Sequence, residues 1–330
     1  MKQLIFCISN SKKIPFAFLL FVIILFIYLI DINIGLYLKK KNNMFIYYNE
    51  IHRLFIPLKN KNITATCGMD LDLKNELPKI NLTWHYDNSG YRNNTDIKNK
   101  EIIIIGDSFA RGVCSTNQAI AEHIMNNTNK RNVYNYSKWN NAKDVLSNKM
   151  LKPKTVILIL VERNIRIEAL KLNRLEHIHR SLTSYLSILN KYSYFNRKEL
   201  ANIKDKVAPR NAYYEINNHR FLSDDLIDYS KQLYLAINQL ARYKDILDKQ
   251  NIKFLFVPIP NKSTLLQISN NSYNGFLNNV YKQLKNSNIN YVDILEAFKP
   301  YTYQKLFWSY DTHPTPYGNY IIANAISTHL

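Results

Sequence analysis

Two kinds of run alternate along the second two-thirds of this chain. Apolar stretches bounded by polar residues occur at 101–106 (EIIIIG), 155–161 (TVILILV) and 253–260 (KFLFVPIP), with shorter mixed ones at 132–137 (NVYNYS) and 289–295 (INYVDIL). Short, β-branched, nearly continuous apolar runs predict strands buried on both faces, as in parallel sheets. Between them lie segments with helical spacing at 116–127, 141–150, 222–250 and 273–286, and a last one, YGNYIIANAISTHL, at 317–330. Strands alternating with helices predict a doubly wound α/β domain over residues 99–330. Ligands in such sheets bind outside the carboxyl ends of the strands.

Two regions break the alternation. Residues 165–222 are basic and aromatic, and are expected to form a helical insertion packed over the sheet or the site. Residues 39–98 are polar and Asn-rich, and read as a stalk that merges into the edge of the domain. Ahead of them, residues 14–30 (IPFAFLLFVIILFIYLI) carry no charge, and the apolar character continues to Leu38. As a helix, 14–38 would span about 26 to 37 Å, enough for the hydrocarbon core of a bilayer. With Lys12 and Lys13 before it and no small-residue cleavage site after it, the segment is expected to be a transmembrane signal anchor, with residues 1–13 cytoplasmic.

Composition changes little in this picture. The chain has 330 residues with 46% hydrophobic content, so a sizeable core is available. A net charge of +19 raises the question of an anionic partner. No zinc-finger spacing, helix-turn-helix signature or aromatic RNA-binding motif accompanies that charge, so no nucleic acid partner is expected. Of the three cysteines, Cys7 precedes the anchor, while Cys67 and Cys114 would share an oxidising compartment and could pair. None has metal-ligand spacing, and neither a metal nor a cofactor is expected.

The candidate chemistry lies at two strand ends. Gly106 and Gly112, two of only seven glycines, flank Ser108 in EIIIIGDSFARG. Some 200 residues later YDTHPTPYGNYIIA carries Asp311 and His313, two apart, just before the final helix. A serine hydroxyl becomes a nucleophile when a neighbouring imidazole takes its proton, and a carboxylate fixes that imidazole's tautomer. Ser108, His313 and Asp311 are therefore the expected nucleophile, base and orienting group. Glu162 and Arg163 follow the apolar strand and read as a buried pair that positions Asn164. Arg111 and Lys262 are candidate substrate contacts, Lys262 for an anionic sugar.

GDSF at 106–109 and DTHPTPYGN at 311–319, with GYRN at 90–93 upstream, resemble the SGNH (GDSL-type) hydrolase superfamily. FVPIPNK at 256–262 and the Asp-x-His spacing are similar to membrane-associated polysaccharide O-acetyltransferases of the alginate type, although the motif order GDSF, VERN, PNK, DTH is the ordinary SGNH order. The resemblance implies a flavodoxin-like three-layer fold with a parallel sheet and an acyl-serine intermediate on Ser108. It also implies an oxyanion hole built from the Ser108 N–H, the residue at the second-block glycine position and a third-block asparagine. Here those last two are Asn140, since no glycine lies between Gly112 and Gly275, and Asn164.

The function expected is a membrane-anchored O-acetyltransferase acting on a cell-surface polysaccharide, supplied with acetyl groups by a multispanning membrane partner. Its place would be the bacterial inner membrane, single-pass, with the domain on the periplasmic side. A carbohydrate esterase of the same kind, and a catalytically silent glycan-binding or scaffold protein, are the alternatives.

Overall fold

A computed structural model of the chain describes residues 60–67, 71, 80–128, 132–136, 145–146, 150–165, 169, 213–222, 225 and 233–330. At its centre are four parallel strands: β3 (Lys100–Gly106), β4 (Val133–Asn135), β5 (Leu151–Val161) and β8 (Lys253–Ile259), in the order β4-β3-β5-β8. The register runs Ile102 to Val133 on one side of β3 and Ile104 to Ile157 on the other, with Ile157 then opposite Leu255. Beyond β8 the expected strand at 289–295 is reduced to one parallel bridge, Tyr291 to Phe256. Asp293 ends it, because its side chain accepts the Glu296 N–H at 2.9 Å and starts α6 (Ile294–Phe298). The strand sequence therefore follows the flavodoxin-like order, with β3 at the point where the chain switches direction across the sheet.

The period of two along each strand divides the core into two layers. Ile103, Ile105, Val156, Leu158, Leu160, Phe254 and Phe256 face one side, covered by α3 (Leu233–Asp248) and α5 (Phe276–Asn286). Helix α3 buries Leu233, Ala236, Ile237, Leu240, Tyr243 and Leu247, a stripe at three- and four-residue spacing. Ile104, Ile157, Ile159, Val161, Leu255, Val257 and Ile259 face the other side. There they meet α2 (Ile120–Thr128), α6 and α8 (Pro316–Ser327). The α/β layering expected from the hydrophobic pattern is thus present, with α1 (Ser108–Arg111), α4 (Lys262–Ser269) and α7 (Tyr303–Leu306) as short helices at strand ends and in connections.

Three expectations need correction. The domain does not start at 99: β1 (Lys61–Cys67) and β2 (Ile80–Tyr86) form an antiparallel hairpin that belongs to it. INLTWHY buries Leu82, Trp84 and Tyr86 while Asn81 and Thr83 stay exposed, a period-two strand hidden within Asn-rich composition. Its outer edge is tied down, as the Thr83 and His85 N–H groups donate to the hydroxyls of Ser115 and Thr116 at 3.0 and 2.9 Å. Secondly, the described end of the 165–222 insertion is a β-hairpin, β6 (Tyr213–Ile216) with β7 (His219–Leu222), not helix. Tyr214 stacks on Phe221 across it, and Asn217 and Asn218 make the turn at positive φ. Thirdly, the pairing of Cys67 with Cys114 that the sequence left open is not made: Cys114 is a free, buried thiol whose sulfur accepts from the Asn319 amide at 3.3 Å.

The expected anchor at 14–38 lies outside the described residues, as does 141–144 of one expected helix. Among the described residues no helix is long and apolar enough to cross a membrane.

Candidate active site

Strand β3 ends at Gly106, and the chain turns at once into α1. The turn is possible only with glycine. A Cβ at Gly106 would lie 2.0 Å from the Ile159 carbonyl oxygen, and φ there is +151°. Asp107 caps α1 and is buried, and its carboxylate gathers three N–H donors. They are the backbones of Phe109 (2.9 Å) and Val161 (3.0 Å) and the side-chain amide of Asn164 (2.9 Å). One carboxylate thus holds the turn after β3 to the end of β5. Ser108, between buried Asp107 and buried Phe109, is itself half-exposed.

The partner loop comes from the other end of the domain. Phe307 bridges Pro314 in antiparallel fashion, and Thr315 caps α8 by accepting the Gly318 N–H at 3.1 Å. This short ribbon presents His313 to Ser108. His313 Nε2 lies 2.8 Å from Ser108 Oγ, and His313 Nδ1 lies 2.6 Å from Asp311 Oδ1. The same Asp311 oxygen accepts the His313 backbone N–H at 2.8 Å. Since an ionised carboxylate only accepts, Nδ1 carries the proton and Nε2 is left to accept from the serine hydroxyl. The three residues expected from the sequence are therefore brought into one line, 205 positions apart for the serine and the histidine.

Around this line the structure gives Phe109, Arg163, Arg92 and Asn93 contacts that the sequence did not indicate. The Phe109 ring lies 4.7 Å from the His313 ring, and the Arg163 guanidinium sits 5.2 Å from the Phe109 centroid on the same cluster. Arg163 also donates to Thr312 Oγ1 (3.1 Å), Asn261 Oδ1 (3.2 Å) and Asp225 Oδ1 (3.3 Å). Thr312 stands between Asp311 and His313, so Arg163 fixes the loop that carries both. Arg92, from GYRN, donates to the carbonyls of Arg111, Gly112 and Cys114 at 3.0–3.2 Å and stacks on Trp84. It clamps the loop that follows α1. Neighbouring Asn93 bonds both backbone groups of Asn135 at the end of β4. The position of GYRN just before the strand was the one signal of these roles.

Other expectations fare differently. Glu162 and Arg163 do not act as a pair: Glu162 turns to the Asn261 N–H (3.0 Å), the Thr264 hydroxyl and the Tyr273 hydroxyl (3.0 Å). Asn164 is positioned by Asp107 instead, and its amide has a second N–H beyond the one given to that carboxylate. The Ser108 N–H, in the first turn of α1, has no carbonyl partner within the helix. Asn140 lies outside the described residues. Arg111 is half-buried in the last turn of α1. Lys262 is not placed to meet an anionic sugar. It is 1% exposed, and its ammonium donates to the carbonyls of Trp308 (2.6 Å), Arg220 (2.8 Å) and Ser309 (2.8 Å) beside the Phe221 ring. It stitches the β6–β7 hairpin to the segment just before Asp311. Among the described residues no group of His, Cys, Asp and Glu side chains is arranged to hold a metal ion.

Burial pushes the Glu162 carboxyl up to about 7, against the three hydroxyl and N–H donors that favour its charge. A carboxyl raised in the folded state binds more protons there than in the unfolded chain. Stability therefore falls as pH rises from the ordinary glutamate range towards 7, by up to about 1.4 kcal/mol per pH unit. Glu162→Gln removes that titration. Between pH 5 and pH 8 the melting temperature of the variant is expected to decline less than that of the wild type; equal declines would contradict the assignment.

No protein-family model matches the chain, and no curated protein matches it. Solved structures similar to it include GDSL and SGNH hydrolases. A G-D-S-L family protein from Desulfitobacterium hafniense DCB-2 is 15% identical, with 70% of this chain and all of that one covered at a TM-score of 0.40. A mutant of Axe2, an acetyl-xylooligosaccharide esterase from Geobacillus stearothermophilus, is 13% identical over 69% of this chain and 93% of its own, with a TM-score of 0.37. A member of the lipolytic G-D-S-L family from Veillonella parvula DSM 2008 is 12% identical over 68% and 95%, with a TM-score of 0.34.

Proposed function

We propose that this chain is an SGNH-type acyl-ester enzyme: a membrane-anchored O-acetyltransferase that modifies a cell-surface polysaccharide through an acyl-serine. The observation that carries the reading is the line from Asp311 through His313 to a half-exposed Ser108. In the first half-reaction Ser108 Oγ attacks the acetyl carbonyl as its proton passes to His313 Nε2. The tetrahedral oxyanion meets the Ser108 N–H and the free N–H of the Asn164 amide, with Asn140 as a further donor. Collapse breaks the bond to the donor's oxygen, which leaves with the proton from His313. In the second half-reaction His313 takes the proton of a sugar hydroxyl and that oxygen attacks the acyl carbon. Collapse of the tetrahedral intermediate breaks the Ser108 Oγ–acyl bond, and His313 returns the proton to Oγ. The acetyl donor is delivered across the membrane by a multispanning partner, and the anchor at 14–38 holds the domain on the outer side of the bacterial inner membrane.

A second reading, an esterase in which water replaces the sugar hydroxyl, is favoured by the exposure of Ser108. Both use the same three residues, and acceptor positioning decides between them. The test is surface-glycan acetylation in a deletion strain complemented with wild type or with His313→Ala. Acetyl groups lost with the variant support the transferase and acetyl groups gained support the esterase. Unchanged acetylation would sink both and leave a silent glycan-binding protein.

A further inference from the structure

The aromatic residues next to the Ser108–His313 line are nearly all engaged by another ring or a cation. Phe109 is sandwiched with His313 and Arg163. Tyr310 lies under Arg220 at 5.3 Å, Phe307 packs edge-on against Phe298, and Tyr317 takes Lys305 at 4.4 Å. Trp308 is the exception: among the described residues neither face of its indole has a ring or cation partner, and the residue is half-exposed.

Trp308 is nevertheless rigidly held. Its backbone N–H donates to the His313 carbonyl at 3.3 Å, and its indole Nε1–H donates to the Val113 carbonyl at 3.2 Å. Val113 lies five residues past Ser108, in the loop that Arg92 clamps. The Trp308 carbonyl also accepts from the buried Lys262 ammonium. The side chain therefore ties the serine loop to the histidine loop. With Nε1 occupied, the exposed part of the indole offers ring carbons alone. Of the other half-exposed residues of these loops, Ser108, Arg111, Ser115, Asn164 and Ser309 are polar, Tyr310 is held by Arg220, and Val113 alone adds an aliphatic side chain. A fixed apolar plate beside polar groups matches a molecule with a flat C–H face and a hydroxyl edge, which is a pyranose ring. An acyl chain would call for apolar side chains on several sides.

We infer that Trp308 is the stacking wall for the sugar ring that carries or receives the acyl group. The inference rests on the acyl-ester reading above and adds the residue that selects carbohydrate. The full chain is assayed for hydrolysis of three esters: glucose pentaacetate, vinyl acetate and vinyl butyrate. In Trp308→Ala, kcat/KM on the acetylated sugar is expected to fall about tenfold through KM, since one good aromatic contact is worth about that factor. Vinyl acetate and vinyl butyrate share whatever loss comes from the missing Nε1–H tie between the loops, so the sugar ester should lose several-fold more than either. Trp308→Phe, which lacks that tie but keeps a flat ring, should recover most of this sugar-specific excess. Equal losses on all three esters would make Trp308 a loop strut and overturn the inference. A loss on vinyl butyrate as large as that on the sugar would make it an acyl wall and overturn it too. A wild type inactive on every ester, with Ser108 unreactive, would remove the acyl-ester reading and the wall with it.

Discussion

Asp311→Asn is expected to lower ester turnover by about 10⁴-fold while the domain stays folded. The reason is a single proton. Asp311 Oδ1, 2.6 Å from His313 Nδ1, keeps the hydrogen on that nitrogen and leaves Nε2 as an acceptor facing Ser108 Oγ at 2.8 Å. An asparagine amide can donate to Nδ1, which shifts the ring hydrogen to Nε2. The imidazole then offers a donor where the serine needs a base. His313→Ala removes the base outright and should be at least as severe. The check is steady-state kinetics on vinyl acetate beside a thermal melt of each variant. Retention of more than about a tenth of wild-type turnover by folded Asp311→Asn would contradict the roles assigned here.

The second large effect falls on the fold. Gly106→Ala is expected to destabilise the domain by roughly 3–5 kcal/mol, a melting shift on the order of 10 °C. Two costs combine: a Cβ would stand 2.0 Å from the Ile159 carbonyl oxygen in β5, and φ is +151°. That neighbour is backbone in the middle of a parallel sheet and cannot step aside without breaking the register between β3 and β5. Gly275→Ala separates the two costs. There φ is +76°, but the nearest atom to a new Cβ is the Asn278 amide nitrogen at 3.9 Å, so only the backbone cost of about 1 kcal/mol remains. Melting curves of both variants decide it. Equal shifts would mean that the close approach of β5 to the serine turn contributes nothing.

Much of this arrangement is legible in the chain itself. EIIIIG, TVILILV and KFLFVPIP are apolar on both faces, and all three became strands of the parallel sheet, buried between its two helical layers. Ser108 and the Asp311–His313 pair were readable for a different reason: each sits where a strand or ribbon stops and a helix starts, and their chemistry needs one another. What stayed hidden had to be decided by partners far away in sequence. Lys262 reads as a loop lysine, and only the three carbonyls that converge on it make burial of its charge tolerable. Arg163 reads as a mate for adjacent Glu162, yet neighbours in sequence at a strand end point apart, and each took partners from other loops. The β1–β2 hairpin was masked by its asparagines, although Leu82, Trp84 and Tyr86 already alternated.

The central claim is that Ser108 is a nucleophile activated by His313. The most direct measurement is intact-protein mass spectrometry after treatment with a fluorophosphonate, followed by peptide mapping. One phosphonyl adduct on Ser108 in the wild type, none in Ser108→Ala and strongly slowed labelling in His313→Ala is the predicted result. A wild type that takes up no label, or takes it up at another residue while Ser108 stays unmodified, would contradict it.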